Sequence, residues 1–223
     1  MSYLQKIDPL PEPTACIRAR MRGRTYPRNT TIYLEGDAGG GLFYINEGVV
    51  ECQVASVIGE VTIANLFWPD SWLGETALLT GEPHYRTFIA RTNLSLDFIP
   101  RAEIQVLLRD RPALWREIGK MAAMHHRMAM RAYLDAAIKN PVQRCLATLV
   151  RLAGFGLAAP RVDLSRTIPI SQSEFGDMVA LCRNTVAKEL SRLALAGLVT
   201  PHYRKIFIPS IWRAIEAQDK FDD

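Results

Sequence analysis

The sequence has no closely spaced cysteine pair, no apolar stretch of membrane-spanning length and no strong excess of either charge. Its cysteines, Cys16, Cys52, Cys145 and Cys182, stand far apart, with no C-x-x-C pair and no Cys/His cluster of zinc-ligand spacing. That excludes a fold stapled by zinc or disulfides and leaves free thiols suited to a reducing cytoplasm. No run approaches the ~18 apolar residues of a membrane span, and Met1–Leu10, with Asp8 and Pro9, lacks the apolar run of a secretory signal. A soluble cytoplasmic protein without a membrane partner is expected. A P-loop, a G-x-S-x-G elbow, a paired-histidine metal motif and a nucleophile arrangement are all missing, so no enzyme, catalytic residue or metal is expected.

What is present is enough apolar substance for a core and a skewed charge. Hydrophobic residues make up 48% of the 223, too many for a disordered chain and enough for one large or two small domains. Net charge is only +4, but residues 1–111 hold 11 Lys and Arg against 13 Asp and Glu, residues 112–138 hold 4 against 2, and residues 139–223 hold 12 against 8. The basic excess lies at the C-terminal end, where attraction for a polyanion is strongest.

From Thr25 to Pro100 short β-rich runs alternate with glycine turns: Thr30–Leu34, Gly41–Ile45, Val49–Val57, Val61–Phe67, Thr87–Arg91 and Leu94–Ile99. This spacing predicts a sandwich or barrel over residues 1–111. Leu114, Ile118, Met121, His125, Met128 and Ala132 then recur at alternating steps of four and three. They predict a long helix over 112–138 whose seam pairs with a second copy, or else lies on the β-domain as one amphipathic helix. Asn140-Pro141 ends that run, and a C-terminal domain is expected over 139–223, beginning with an amphipathic helix at Val142–Ala153 and a loop at 154–160.

The most informative segment runs from Ile170 to Leu190. Ser171 with Glu174 three residues on is a capping box that starts a short helix. Gly176 stands where a second helix must cross closely, a turn falls near Ala180-Leu181, and Val186, Leu190 and Leu193 bury one face of that second helix. Arg183, Asn184 and Lys188 lie on the other face, the pattern of a helix-turn-helix. Arg183 can fork onto guanine, Asn184 can pair with adenine or phosphate, and Lys188 reaches base or backbone. Ser171, Gln172, Ser173 and Thr185, at helix starts, are phosphate-positioning candidates. Gly197–Thr200 and Lys205–Ile208 flank His202-Tyr203-Arg204 as a β-wing, and Arg204 at its tip suits a phosphate.

These residues resemble the Crp/Fnr family. The likeness runs from about Thr25 to Pro209 and is carried by Glu35-Gly36-Asp37, Tyr44–Val49, Trp72–Leu79, Arg86-Thr87, Arg144–Leu146 and the helix-turn-helix. It implies an α+β fold with an N-terminal β-roll of the cyclic-nucleotide-binding, jelly-roll kind, a long dimerisation helix and a C-terminal winged helix-turn-helix. It implies a transcription regulator that binds double-stranded DNA at a two-fold-symmetric operator as a homodimer, with RNA polymerase as a further partner. Asn184 stands where the family often has Glu, which removes an acceptor for cytosine and shifts the expected operator. Ala180 replaces the usual turn glycine, and Cys182 replaces the usual serine cap, leaving a poorer cap whose thiol is either inert or redox-active.

Gly74, Glu75, Arg86 and Thr87 resemble the phosphate cassette of cyclic-nucleotide binders, with Glu75 accepting a ribose hydroxyl and Arg86 neutralising the phosphate. The alternatives left open are cyclic AMP or cyclic GMP at that cassette, another ligand in an apolar pocket of Trp68, Trp72, Tyr85 and Phe88, a Gly-Glu turn kept only for structure with Glu75 paired to Arg86, and no ligand at all. A lone Cys16 excludes the iron-sulfur branch, and His84 reads as a loop histidine, not a haem ligand. A different function class, a cyclic-nucleotide-binding signalling module that reads no operator, would not need residues 170–208.

Overall fold

The computed structural model describes residues 14–55, 59–155, 162–218 and 220–221. Two compact units divide between His126 and Arg127. In the first, β1 (Arg22–Tyr26), β3 (Gly41–Glu47), β6 (Trp72–Leu73) and β8 (Leu94–Pro100) form one antiparallel sheet in the order β1-β8-β3-β6. β2 (Thr31–Tyr33), β4 (Val50–Ala55), β5 (Val61–Phe67) and β7 (Thr87–Ala90) form the other, in the order β2-β7-β4-β5. The expected β-roll is therefore present. The end of the strand expected at 49–57 falls partly on residues 56 and 57, outside the described residues.

Side-chain alternation along β3 explains how this unit builds its core. Phe43 and Ile45 point into the sandwich with Tyr33, Val50, Cys52, Phe67, Phe88, Leu96 and Phe98. Leu42 and Tyr44 point the other way and need cover of their own. They receive it from Ile104, Leu107 and Leu108 of α3 (Arg101–Asp110) and from Leu114, Ile118 and Met121 of α4 (Leu114–Ile138).

That arrangement corrects the sequence reading of the α4 seam. Leu114, Ile118 and Met121 retain only 3%, 0% and 3% of their surface and leave a second copy nothing to touch. The four-three rhythm marks a helix with one apolar face, and the outer side of the β-roll satisfies it as well as a partner helix would. His125, next in the series, is turned to a carboxylate of its own unit, and Met128 and Ala132 are half-buried.

The second unit continues from Arg127. Asn140 does more than end α4: its side chain accepts from the Gln143 amide at 3.0 Å and so caps α5 (Pro141–Val150), with Pro141 at the first helical position, where no amide is needed. Val142, Cys145, Leu146 and Leu149 face inward from α5. The loop expected at 154–160 falls partly on residues 156–160, outside the described residues. β9 (Arg166–Ile168), β10 (Thr200–His202) and β11 (Lys205–Ile208) make a small antiparallel sheet in the order β10-β11-β9, beside α6 (Gln172–Val179), α7 (Arg183–Leu195) and α8 (Ile211–Ala217).

Candidate nucleic-acid interface and effector site

The α6–α7 pair is built by local chemistry. Ser171 Oγ accepts from the Glu174 amide at 3.2 Å, and the Ser171 amide donates to Glu174 Oε2 at 2.7 Å, closing the capping box at the start of α6. A Cβ on Gly176 would stand 3.1 Å from the Leu181 carbonyl oxygen and 3.4 Å from Val186, so the absent side chain lets the turn and α7 pass close by. Ala180 turns the chain at φ 50, ψ 49, a left-handed conformation that costs an L-residue about 1–2 kcal/mol.

Val186, Leu190 and Leu193 are buried to 0%, 1% and 0%, which anchors α7 and orients its opposite face outward. On that face Arg183, Asn184, Ala187, Lys188 and Ser191 are exposed, and Arg183, Asn184 and Lys188 have no side-chain partner among the described residues. Sequence reasoning missed Ser191, one turn beyond Lys188, although the helical period points to it. Cys182 precedes α7 and makes no cap to the backbone through its side chain. Its exposed thiol lies 3.2 Å from Thr185 Oγ1, and hydrogen bonding to Thr185 holds its pKa below the usual thiol value. Thr185 is half-buried and partly occupied by that contact. Ser171 is committed to the cap, while Gln172 is half-buried and Ser173 exposed. The wing tip is exposed from His202 to Lys205, with Arg204 in a left-handed turn at φ 54 and Tyr203 at 87% exposure beside it.

In the β-roll the four cassette residues are held in different ways. Gly74 takes φ 92, and a Cβ there would meet the Gly41 carbonyl oxygen at 2.3 Å, so this turn admits only glycine. It delivers Glu75 to the first position of α2 (Glu75–Thr80), where the side chain is 4% exposed. Burial pushes the Glu75 carboxyl up, but bonds from His125 and Thr76 outweigh it and leave its pKa below the usual carboxylate value. His125 Nδ1 lies 2.8 Å from Glu75 Oε1, and Thr76 Oγ1 donates to the same oxygen at 3.1 Å.

Of the alternatives left open, the Glu75–Arg86 pair is not formed: Glu75 is paired with His125. Arg86 is half-buried, donates to Cys52 Sγ at 3.8 Å and lies 4.8 Å over the Tyr85 ring, with no acidic partner among the described residues. Thr87 Oγ1 accepts from the Glu35 amide at 3.0 Å.

Three of the four aromatic residues expected to line one pocket do not come together. Trp72 packs on Tyr44 in the outer core, Phe88 on Tyr33 and Phe67 in the inner core, and Tyr85 is 56% exposed. Trp72 and Phe88 belong to different sheets, and Tyr85 precedes β7 outside any strand. His84 lies in the loop before β7, as expected, but is buried there: it is 6% exposed, stacked on Tyr33 at 3.7 Å, and burial lowers its pKa. Among the described residues no three His, Cys, Asp or Glu side chains are grouped for a metal ion, and no helix is long and apolar enough to cross a membrane.

Residues 23–111 match the family described as cyclic nucleotide-binding domain, and residues 143–213 match the Crp-like helix-turn-helix domain. The transcriptional regulator LdrP of Thermus thermophilus is 28% identical over 83% of this chain and 91% of its own length. The CRP-like cAMP-activated global transcriptional regulator of Mycobacterium tuberculosis is 22% identical over 89% of this chain and 88% of its own. A solved CRP-family transcriptional regulator, also from Thermus thermophilus, superposes with a TM-score of 0.64 at 25% identity, covering 89% of this chain and 97% of that one.

Proposed function

The chain belongs to the Crp/Fnr family of DNA-binding transcription regulators, and from that premise we propose that it reads a two-fold-symmetric operator as a homodimer controlled by a cyclic nucleotide. The observation that carries the operator reading is the outward face of α7, where Arg183, Asn184 and Lys188 stand exposed and unpartnered among the described residues, opposite a fully buried face. Free donors on a rigid helix suit base edges in the major groove, with Arg183 on guanine and Asn184 on adenine. Ser171, Gln172, Ser173, Thr185 and Arg204 then hold phosphates around it.

Dimerisation falls to the later part of α4, where Met130, Tyr133, Leu134 and Ile138 are exposed at 42%, 66%, 44% and 76% and Met128 and Ala132 are half-covered. Steps of three, one and four keep these apolar side chains on one side of the helix, and exposed apolar area of this kind favours association.

Cyclic AMP or cyclic GMP is the effector class that fits Gly74, Glu75, Arg86 and Thr87. Arg86 lacks an acidic partner among the described residues and suits a phosphate, while buried Glu75 suits a hydroxyl donor. The relative from Mycobacterium tuberculosis carries cAMP activation in its name, and the match covers 88% of that relative. Action in the cytoplasm, where promoters lie, and contact with RNA polymerase follow from family membership. A nucleotide-binding module that reads no operator leaves the capped, close-crossing α6–α7 pair without a use.

Selection of bound duplexes from a random pool, with and without cyclic AMP or cyclic GMP, tests this reading. Enrichment of an inverted repeat is expected. Recovery of no preferred sequence under any of these conditions would overturn it.

A further inference from the structure

We infer that His125 is the positioning residue of the effector site: it fastens one oxygen of the Glu75 carboxylate so that the other is presented to a hydroxyl of the effector. This rests on the reading of Glu75 and Arg86 as effector groups. Both side-chain bonds to Glu75, from His125 at 2.8 Å and Thr76 at 3.1 Å, land on Oε1, so they fix the carboxylate's rotation and leave Oε2 without a side-chain donor among the described residues, the Glu75 amide adding a backbone bond to the carboxylate. The His125 ring is itself set edge-on against Phe67 of β5, with centroids 5.2 Å apart, which aims Nδ1 at the carboxylate. Glu75 is 4% exposed, and a carboxylate so buried stays charged only with donors of this kind.

The other charged or titratable groups facing this region do not take over the task. Arg86 is directed to Cys52 Sγ and the Tyr85 ring, Tyr33 is stacked on His84, and Asp37 acts on His84. The consequence is a division of labour: His125 holds Glu75, which frees Arg86 to meet an anion.

Calorimetric titration of the intact protein with cyclic AMP and with cyclic GMP tests this in wild type, His125→Phe and His125→Gln. His125→Phe keeps a ring without the donor and is expected to weaken binding about tenfold. His125→Gln restores a donor, so most of the affinity returns. Melting curves confirm that each variant is folded. Unchanged affinity in His125→Phe would reduce His125 to packing and overturn the inference while leaving the nucleotide site standing. Tighter binding would make His125 a competitor of the effector and overturn it equally, as would an affinity in His125→Gln no higher than in His125→Phe. Absence of heat in wild type with either nucleotide overturns the effector reading itself, and the inference with it.

Discussion

Ser171 and Glu174 each hold the other's backbone amide, at 3.2 Å and 2.7 Å, at the start of the first helix of the DNA-reading pair. Ser171→Ala removes one half of this exchange. A loss of about 1 kcal/mol in chemical denaturation is expected, with a smaller loss in Glu174→Ala, because Ser171 still accepts from the amide of residue 174. A Ser171→Ala variant as stable as wild type would show the cap to be idle.

Ala180 carries a left-handed backbone at φ 50. Glycine removes the Cβ strain but loses more chain entropy on folding, so Ala180→Gly is expected to stabilise the protein by a net of about 0.5–1 kcal/mol. A lower midpoint in urea would mean that the alanine methyl makes packing contacts worth more than the strain.

Arg183 and Lys188 share a face of α7 but differ in chemistry. Arg183→Ala is expected to cost about 1–3 kcal/mol of operator binding and to relax specificity at one base pair, while Lys188→Ala lowers the salt slope of binding by about one. Fluorescence anisotropy at several salt concentrations, on the selected operator and on single-base variants, reads both effects. Equal weakening on every sequence by Arg183→Ala would move that residue to the phosphate backbone.

The exposed stripe on α4 predicts a dimer that one double substitution breaks. Tyr133→Asp with Ile138→Asp places charge on the two most exposed of its apolar side chains, at 66% and 76%. Sedimentation is expected to show a monomer at concentrations where wild type is dimeric. Met121→Leu, in the protomer's own core, is expected to leave the association state unchanged.

Acid is expected to destabilise the β-roll through two groups. Glu75 titrates below its ordinary value of 4.5 when folded, so its contribution is fully present above that pH and is lost as the pH falls through the lower, folded value. His84 is also shifted down from 6.5 by burial, and below that pH the unfolded chain takes up a proton that the native ring refuses. Both shifts have the same sign. Denaturation midpoints should fall first as the pH drops below 6.5, through His84, and further below 4.5, through Glu75, and His84→Phe should flatten the upper part of the fall; an unaltered profile in that variant would remove His84 from the account.

Much of the DNA-reading site was legible along the chain because its determinants are local. The capping box spans three residue steps, the turn follows at once, and the α7 face repeats every three to four residues, so Arg183, Asn184 and Lys188 could be placed on the outward face of α7 before any packing was known. Ser191 and Tyr203 were equally local, yet each lacks the distinctive chemistry that singles out an arginine. The β-roll was legible as strands and turns, although β1, β6 and the short helix at Glu75 were not; β6 has two residues and α2 six, too few to show a period.

Local spacing alone determined the order of domains, the long helix and the face of α7, because each depends on neighbours a few residues apart. Which surface covers the apolar side of α4 was a tertiary decision: Leu114, Ile118 and Met121 could equally have met a second helix, and it was the uncovered outer side of β3 that took them. The partner of Glu75 was another, since 50 residues separate it from His125. A buried carboxylate requires a donor, but only the packed chain decides which of several candidates comes within reach.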